Sequence, residues 1–262
     1  MAFAFGIIEG MNMNDFNNQY QGSAVGSGTM DMAMDQGLRS FMLGVYNKMG
    51  LGLVLSGVLA YLTSSVPAIT SLLFKTEGGA FAGYTGLGMI VAFAPLAVLL
   101  VGGFAMRNPS KTGAGIMYWT VVSLIGAGLG VLGLVYTGTS LATTFFVTAA
   151  AFGGLSLFGY TTKKDLTGIG TFLIMGLVGL IIASIVNMFL QNSMFDLIIS
   201  GIGVLIFAGL TAFDTQKLKY TYYSLGGNDT ALSVATNFGA LNLYLDFINL
   251  FQFLLRFMGD RR

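Results

Sequence analysis

Apolar residues run through this chain in blocks too long and too continuous for a soluble fold. Residues 112–162 hold no charged side chain. A helix crosses the hydrocarbon core with about 20 apolar residues, because about 1.5 Å of rise per residue must cover roughly 30 Å. The block therefore divides into two crossings at the polar cluster Tyr136-Thr137-Gly138-Thr139-Ser140. The same reasoning predicts helices near 41–63, 85–106, 113–136, 139–160, 168–190 and 196–213, followed by a seventh apolar segment at 237–255 that carries Asp246 at its middle. The first 38 residues, rich in Asn, Gly, Met and Ser and bearing Glu9, Asp15, Asp31 and Asp35, hold too little apolar surface to order themselves. They read as a flexible polar tail ahead of one membrane domain over 39–262. The opening MAFAFGIIEG lacks a basic flank and a small-residue cleavage site, so it reads as part of that tail and not as a signal peptide.

Composition narrows the possible chemistry. Of 262 residues, 55% are hydrophobic and 9% charged, against roughly a quarter charged in a soluble domain. Neither histidine nor cysteine occurs, which excludes disulfides, thiol nucleophiles, His-based triads and His/Cys zinc sites. No convincing nucleophile with its base remains, so no enzymatic function is expected, and no cofactor. The formal net charge of +1 offers no basic field for nucleic acid. What remains is an all-α integral membrane protein.

Orientation follows from Lys and Arg, which accumulate on the cytoplasmic flanks. With the N-terminus inside, that side collects Arg39, Arg107, Lys111, Lys163, Lys164, Lys217 and Lys219, and the opposite loops hold Lys75. Lys48 lies near enough to the cytoplasmic end of the first span to snorkel. A fully crossing seventh segment would carry Arg256, Arg261 and Arg262 to the other side, whereas a re-entrant or partly inserted one keeps them inside. The expected arrangement is thus six transmembrane helices with a seventh, C-terminal helix that is partly inserted or re-entrant. Lys163-Lys164-Asp165 reads as a short loop that sets topology, and Asp196 as an acid at a helix start, where the dipole favours it. Lys217 and Lys219 read as headgroup anchors.

Two local patterns belong to packing. Gly126-Ala127-Gly128-Leu129-Gly130-Val131-Leu132-Gly133 contains G-x-G-x-x-G, yet it lies inside a span with no acidic residue until Asp165. Close helix approach explains it better than dinucleotide binding. Pro95, in the second span, is expected to kink the helix and free a backbone carbonyl.

Two acids lie where lipid should forbid them. A carboxylate inside a span costs at least about 2.5 kcal/mol, so such residues face a bundle interior or an aqueous path. Asp214 ends the sixth span in AFDTQKLK, and Asp246 lies in LNLYLDFINLF. Asn242, Asp246 and Asn249, at i, i+4 and i+7, share one helical face opposite a wall of Leu and Phe. If that face meets Asp214, two carboxylates share a poorly solvated site and cannot both ionise cheaply. A chain without histidine could sense near-neutral pH in this way. The alternative is structural, with Asp214 capping a helix end and Asp246 anchoring hydrogen bonds. An intramembrane aspartyl protease would show Tyr-Asp and Gly-x-Gly-Asp, and the chain has Phe213-Asp214 and Leu245-Asp246 instead.

AFDTQKLK together with the C-terminal LNLYLDFINLFQFLLRFMGDRR resembles the Bax inhibitor-1 family, also called the transmembrane Bax inhibitor motif family, in its bacterial form. FMLGVYNKMGLGL and the glycine-rich third span add to the likeness, which covers roughly residues 39–260. The resemblance implies six helices wrapped around a partly inserted seventh, with activity as a pH-sensitive calcium leak and a role in stress responses. It implies that Asp214 and Asp246 form a hydrogen-bonded proton sensor and that Arg107 latches the closed state, although Asn108 and Pro109 follow here where relatives often carry further arginines. Asn242 and Asn249 are candidate pathway residues, and any calcium site at Asp214 and Asp246 would be weak and transient, since Ca²⁺ takes six to eight oxygen ligands. Two alternatives stay open: a non-conducting regulator that binds other membrane proteins, and a proton-coupled cation antiporter. The expected location is a bacterial inner membrane, with the bilayer, calcium and protons as partners.

Overall fold

The computed structural model describes residues 27–105 and 109–262, with side chains from Gln36 onward except at 104 and 105. Seven long helices account for nearly all of it: α1 (Ser27–Ser65), α3 (Gly86–Ala105), α4 (Lys111–Val135), α5 (Gly138–Thr161), α6 (Thr167–Leu190), α7 (Ser193–Ser224) and α8 (Asp229–Met258). Each is long and apolar enough to cross a membrane. The predicted spans match α3 to α6 within two residues at each end. The helix starts carry their own caps: Ser110, Thr137, Asn192 and Asn228 each accept a backbone N–H three residues on, satisfying a donor that the first turn leaves unpaired. Helix α1 begins at Ser27, inside the stretch read as tail, and residues 1–26 lie outside the described residues.

One connection was not anticipated. After α1 the chain forms a short helix, α2 (Pro67–Leu73), and an antiparallel hairpin of β1 (Phe74–Glu77) and β2 (Ala80–Tyr84). Pro67 stands at the helix start, where its missing N–H costs nothing. Gly78 and Gly79 both take positive φ, at 59° and 83°, which a two-residue hairpin turn of this hand requires. Phe74, Phe81 and Tyr84 cluster edge to face against Leu134 and pin the hairpin to the end of α4.

Helix α8 is the axis. It packs against α1, α4, α5 and α7, and Leu243, Tyr244, Asp246 and Leu255 on it are completely buried. Helix α3 leans on α4, and α6 leans on α7. Both are apolar all round, with Ile90, Phe93, Phe172 and Phe189 exposed, as lipid-facing helices should be. The glycine run does what close packing demands. A Cβ on Gly126 would lie 2.6 Å from Ser56 Cα, and one on Gly130 would collide with Thr63, so α1 and α4 approach backbone to backbone. Two neutral hydroxyl bridges seal the contact: Ser56 Oγ donates to Val122 O at 3.0 Å, and Thr63 Oγ1 to Ala127 O at 3.1 Å. Pro95 lies within the continuous α3. Lys48 is half-buried in α1, its ammonium 5.4 Å from the Tyr118 ring centre and 5.9 Å from that of Trp119.

The C-terminal segment differs from the re-entrant expectation. Helix α8 is unbroken over 30 residues, or about 45 Å at 1.5 Å per residue, so it does not turn back. It starts at the α7–α8 turn and ends beside the α4–α5 turn. There Thr137 N donates to Asp260 O, Arg262 N to Val135 O and Asp260 N to Ser140 Oγ, at 2.9–3.1 Å. Arg261 completes the clasp with an ion pair to Asp196 at 3.7 Å. The C-terminus therefore lies at the hairpin end of the bundle, opposite the start of α1.

Candidate functional site: an acid pair between the last two helices

Every residue of the FDTQ stretch at the lower part of α7 holds a different neighbour. Phe213 lies in close contact with Gly170 of α6, where any side chain would collide with its ring. Thr215 Oγ1 donates to Thr211 O at 2.8 Å and reaches Ser156 Oγ of α5 at 3.3 Å. Gln216 clamps the α5–α6 loop, its Nε2 donating to Lys164 O at 2.8 Å while its Oε1 accepts Leu166 N at 2.8 Å. Asp214 turns the remaining way, toward α8. The packing that fixes its neighbours also fixes Asp214.

On α8, Asp246 is wholly buried, and it stands within hydrogen-bonding reach of Asp214, which keeps partial exposure. Among the described residues neither oxygen of Asp246 has a donor. Two ionised carboxylates are acceptors only, so they cannot bond to one another; one proton between them turns one acid into a donor and satisfies the contact. Lys217, one turn along α7, is close enough to act electrostatically on Asp214.

The remaining sequence candidates are placed less centrally. Asn249 is half-buried and spends its amide on Leu245 O at 2.7 Å, and no hydrogen bond joins the half-buried Asn242 to either acid among the described residues. Arg107 lies outside the described residues. The helical face that carries Asp246 is thus present, but its flanking asparagines do not complete a ligand set. Among the described residues no group of three or more Asp, Glu, His or Cys is positioned for a metal.

Sequence reasoning missed two buried polar groups on α8. Asn237 donates to Ser233 O at 2.8 Å, and its own carbonyl oxygen has no donor among the described residues. The Tyr244 hydroxyl meets Ser56 Oγ at 2.7 Å. Seven residues apart, they lie on the face of α8 turned away from Asp246. The Tyr244 ring reads as apolar in sequence, and Asn237 stands at the start of the apolar segment, off the face that carries Asp246.

A family model described as inhibitor of apoptosis-promoting Bax1 matches residues 38–262, which takes in α1 from Leu38 onward, every later helix and both acids. The chain belongs to the Bax inhibitor family. It is 63% identical over 250 residues to a protein of Caulobacter vibrioides, covering 95% of this chain and all of that one. It is 42% identical over 228 residues to the inner membrane protein YbhL of Escherichia coli K12, covering 86% of this chain and 94% of YbhL. A protein of Rickettsia prowazekii is 47% identical, covering 87% of this chain and 92% of that one. This family member is an integral membrane protein whose acid pair lies within the matched region.

Proposed function

We propose that the protein is a pH-sensitive leak pathway for cations, calcium foremost, gated by Asp214 and Asp246 and located in the inner membrane. The observation that carries this reading is the pair of donorless oxygens on a buried Asp246 that faces another acid. Holding one proton, the pair is closed on itself. Losing it leaves two negative charges that repel one another and attract a cation, an arrangement a low-dielectric interior makes steep. Two carboxylates fall far short of the six to eight oxygens of a tight calcium site. A weak, transient contact is what conduction needs, since an ion must leave as readily as it arrives. The reading is of a transport protein and not an enzyme.

The test is calcium entry into dye-loaded liposomes carrying the purified protein. Flux should rise with pH in the wild type, and Asp246→Asn or Asp214→Asn should remove that dependence. Unchanged flux in both variants refutes the role of the pair. Flux that follows an imposed proton gradient stoichiometrically would instead indicate an antiporter.

A second reading rests on the family description, which names action on another protein: a non-conducting regulator of membrane partners. A stoichiometric partner in pull-downs together with no detectable flux would favour it. For orientation we propose a cytoplasmic N-terminus, because Arg39, Lys111, Lys163, Lys164, Lys217 and Lys219 gather at the α7–α8 turn end.

A further inference from the structure

Helices α1 and α5 flank α8 without closing on one another. A hollow of about 570 Å³ separates them, with Met42, Met49 and Phe152 on its walls and Phe247 of α8 as its floor. It exists because Gly50 of α1 and Gly153 of α5 both line it and both have open space where a side chain would start. Leu43 and Leu157 on its rim are more than half exposed, so it opens sideways, toward acyl chains and not toward water.

The mouth of the hollow is cationic. Arg39 lines it from the first turns of α1, exposed and without an ion pair or hydrogen bond to any described residue. Tyr160 lines it from the last turn of α5, and Lys219 donates to the Tyr160 carbonyl at 3.4 Å with its ammonium 5.7 Å from the ring centre. The Arg261–Asp196 ion pair lies at the other end of the bundle. An apolar hollow of this size with a few convergent polar groups has the form of a ligand site. A water-soluble anion would find no partners beyond the mouth, and a neutral lipid would offer Arg39 no counter-charge. Basic pockets between membrane helices suit acidic headgroups.

We propose that this hollow binds one anionic glycerophospholipid, with Arg39 and Lys219 on the phosphate and one acyl chain against Phe152 and Phe247. The site does not depend on conduction by the acid pair, though it adjoins it. Ser156 in its wall meets Thr215, the neighbour of Asp214, and Phe247 follows Asp246.

The test is native mass spectrometry of the full chain released from detergent with equimolar phosphatidylglycerol and phosphatidylcholine of identical chains, which measures binding with no flux involved. One phosphatidylglycerol should be retained in preference. Arg39→Ala and Lys219→Ala, both exposed or half-exposed substitutions, should each weaken that preference about fivefold, the factor for about 1 kcal/mol per basic side chain. Arg39→Lys should keep it. Gly153→Leu, which fills the hollow and leaves both cations in place, should reduce retention of phosphatidylglycerol. Equal retention of the two lipids, indifference to both alanine substitutions, or undiminished binding in a folded Gly153→Leu protein would overturn the proposal.

Discussion

Gln216→Ala tests whether the FDTQ stretch works as a clamp. The side chain makes two 2.8 Å bonds to the α5–α6 loop, one as donor to Lys164 O and one as acceptor from Leu166 N. Leu166 is buried, so losing the amide strands its N–H away from water, at a cost of about 1–3 kcal/mol, while the Lys164 carbonyl, in an exposed loop, costs about 1 kcal/mol. The sum is about 2–4 kcal/mol. At about 2–4 °C per kcal/mol for a chain of this size, thermal unfolding in detergent should fall by roughly 5–15 °C. Gln216→Glu keeps an acceptor for Leu166 N but sets a buried carboxylate oxygen against the Lys164 carbonyl, so it should not rescue stability. An alanine variant that unfolds within about 2 °C of wild type would refute the assignment of stability to the buried Leu166 bond.

Other outcomes follow from the same packing. Gly126→Ala should destabilise by about 1–3 kcal/mol through overpacking against Ser56, whereas Gly128→Ala, with open space around it, should be neutral or slightly stabilising; paired unfolding curves decide. The Thr167 hydroxyl, and after it the Thr167 backbone N–H, hold the exposed Asp165 carboxyl below the ordinary carboxylate range. This stabilisation is full above the unfolded-state value and disappears as pH falls through the folded one; Thr167→Val should move the Asp165 titration upward in a ¹³C NMR series, and an unmoved titration contradicts the contact. Arg261→Ala should cost less than about 1 kcal/mol and less still in high salt, since that ion pair is mostly exposed. Deleting residues 260–262 should fray the last turn of α8 and the α4–α5 turn together in hydrogen exchange. A reporter fused after Arg262 should report the side opposite to one fused at the N-terminus, and the same side for both would contradict seven crossings.

The spans were legible because lipid imposes a length and a polarity that no soluble core demands. Helices α3 to α6 announce themselves as charge-free runs of the right length. Helices α7 and α8 run past the expected limits, to Ser224 and back to Asp229, because their outer turns are ordinary polar helix that a search for apolar windows passes over. The hairpin was missed for the same reason, although Pro67 and the Gly78-Gly79 pair between β-forming residues mark it. The acid pair stood out since each carboxylate interrupts an apolar run. Gln216 and Tyr244 did not, since their partners, Lys164, Leu166 and Ser56, are long-range contacts that only the folded chain supplies, and Asn237 makes its one bond within α8.

Counting basic residues pointed to a re-entrant or partly inserted last helix, and the unbroken α8 departs from the re-entrant form. Arg261 is held by Asp196 and by the Tyr136 ring, and Asp260 is built into the start of α5, so the arginine-rich end is part of the fold at the hairpin side. Asp246 lies 17 residues from Asp229, about 26 Å along a helix of about 45 Å. Gly203 and Gly239 let α7 and α8 close against Phe253 and Leu218, above and below the acids, which leaves Asp214 as the polar group within reach of Asp246. This packing sets the two acids against one another between α7 and α8.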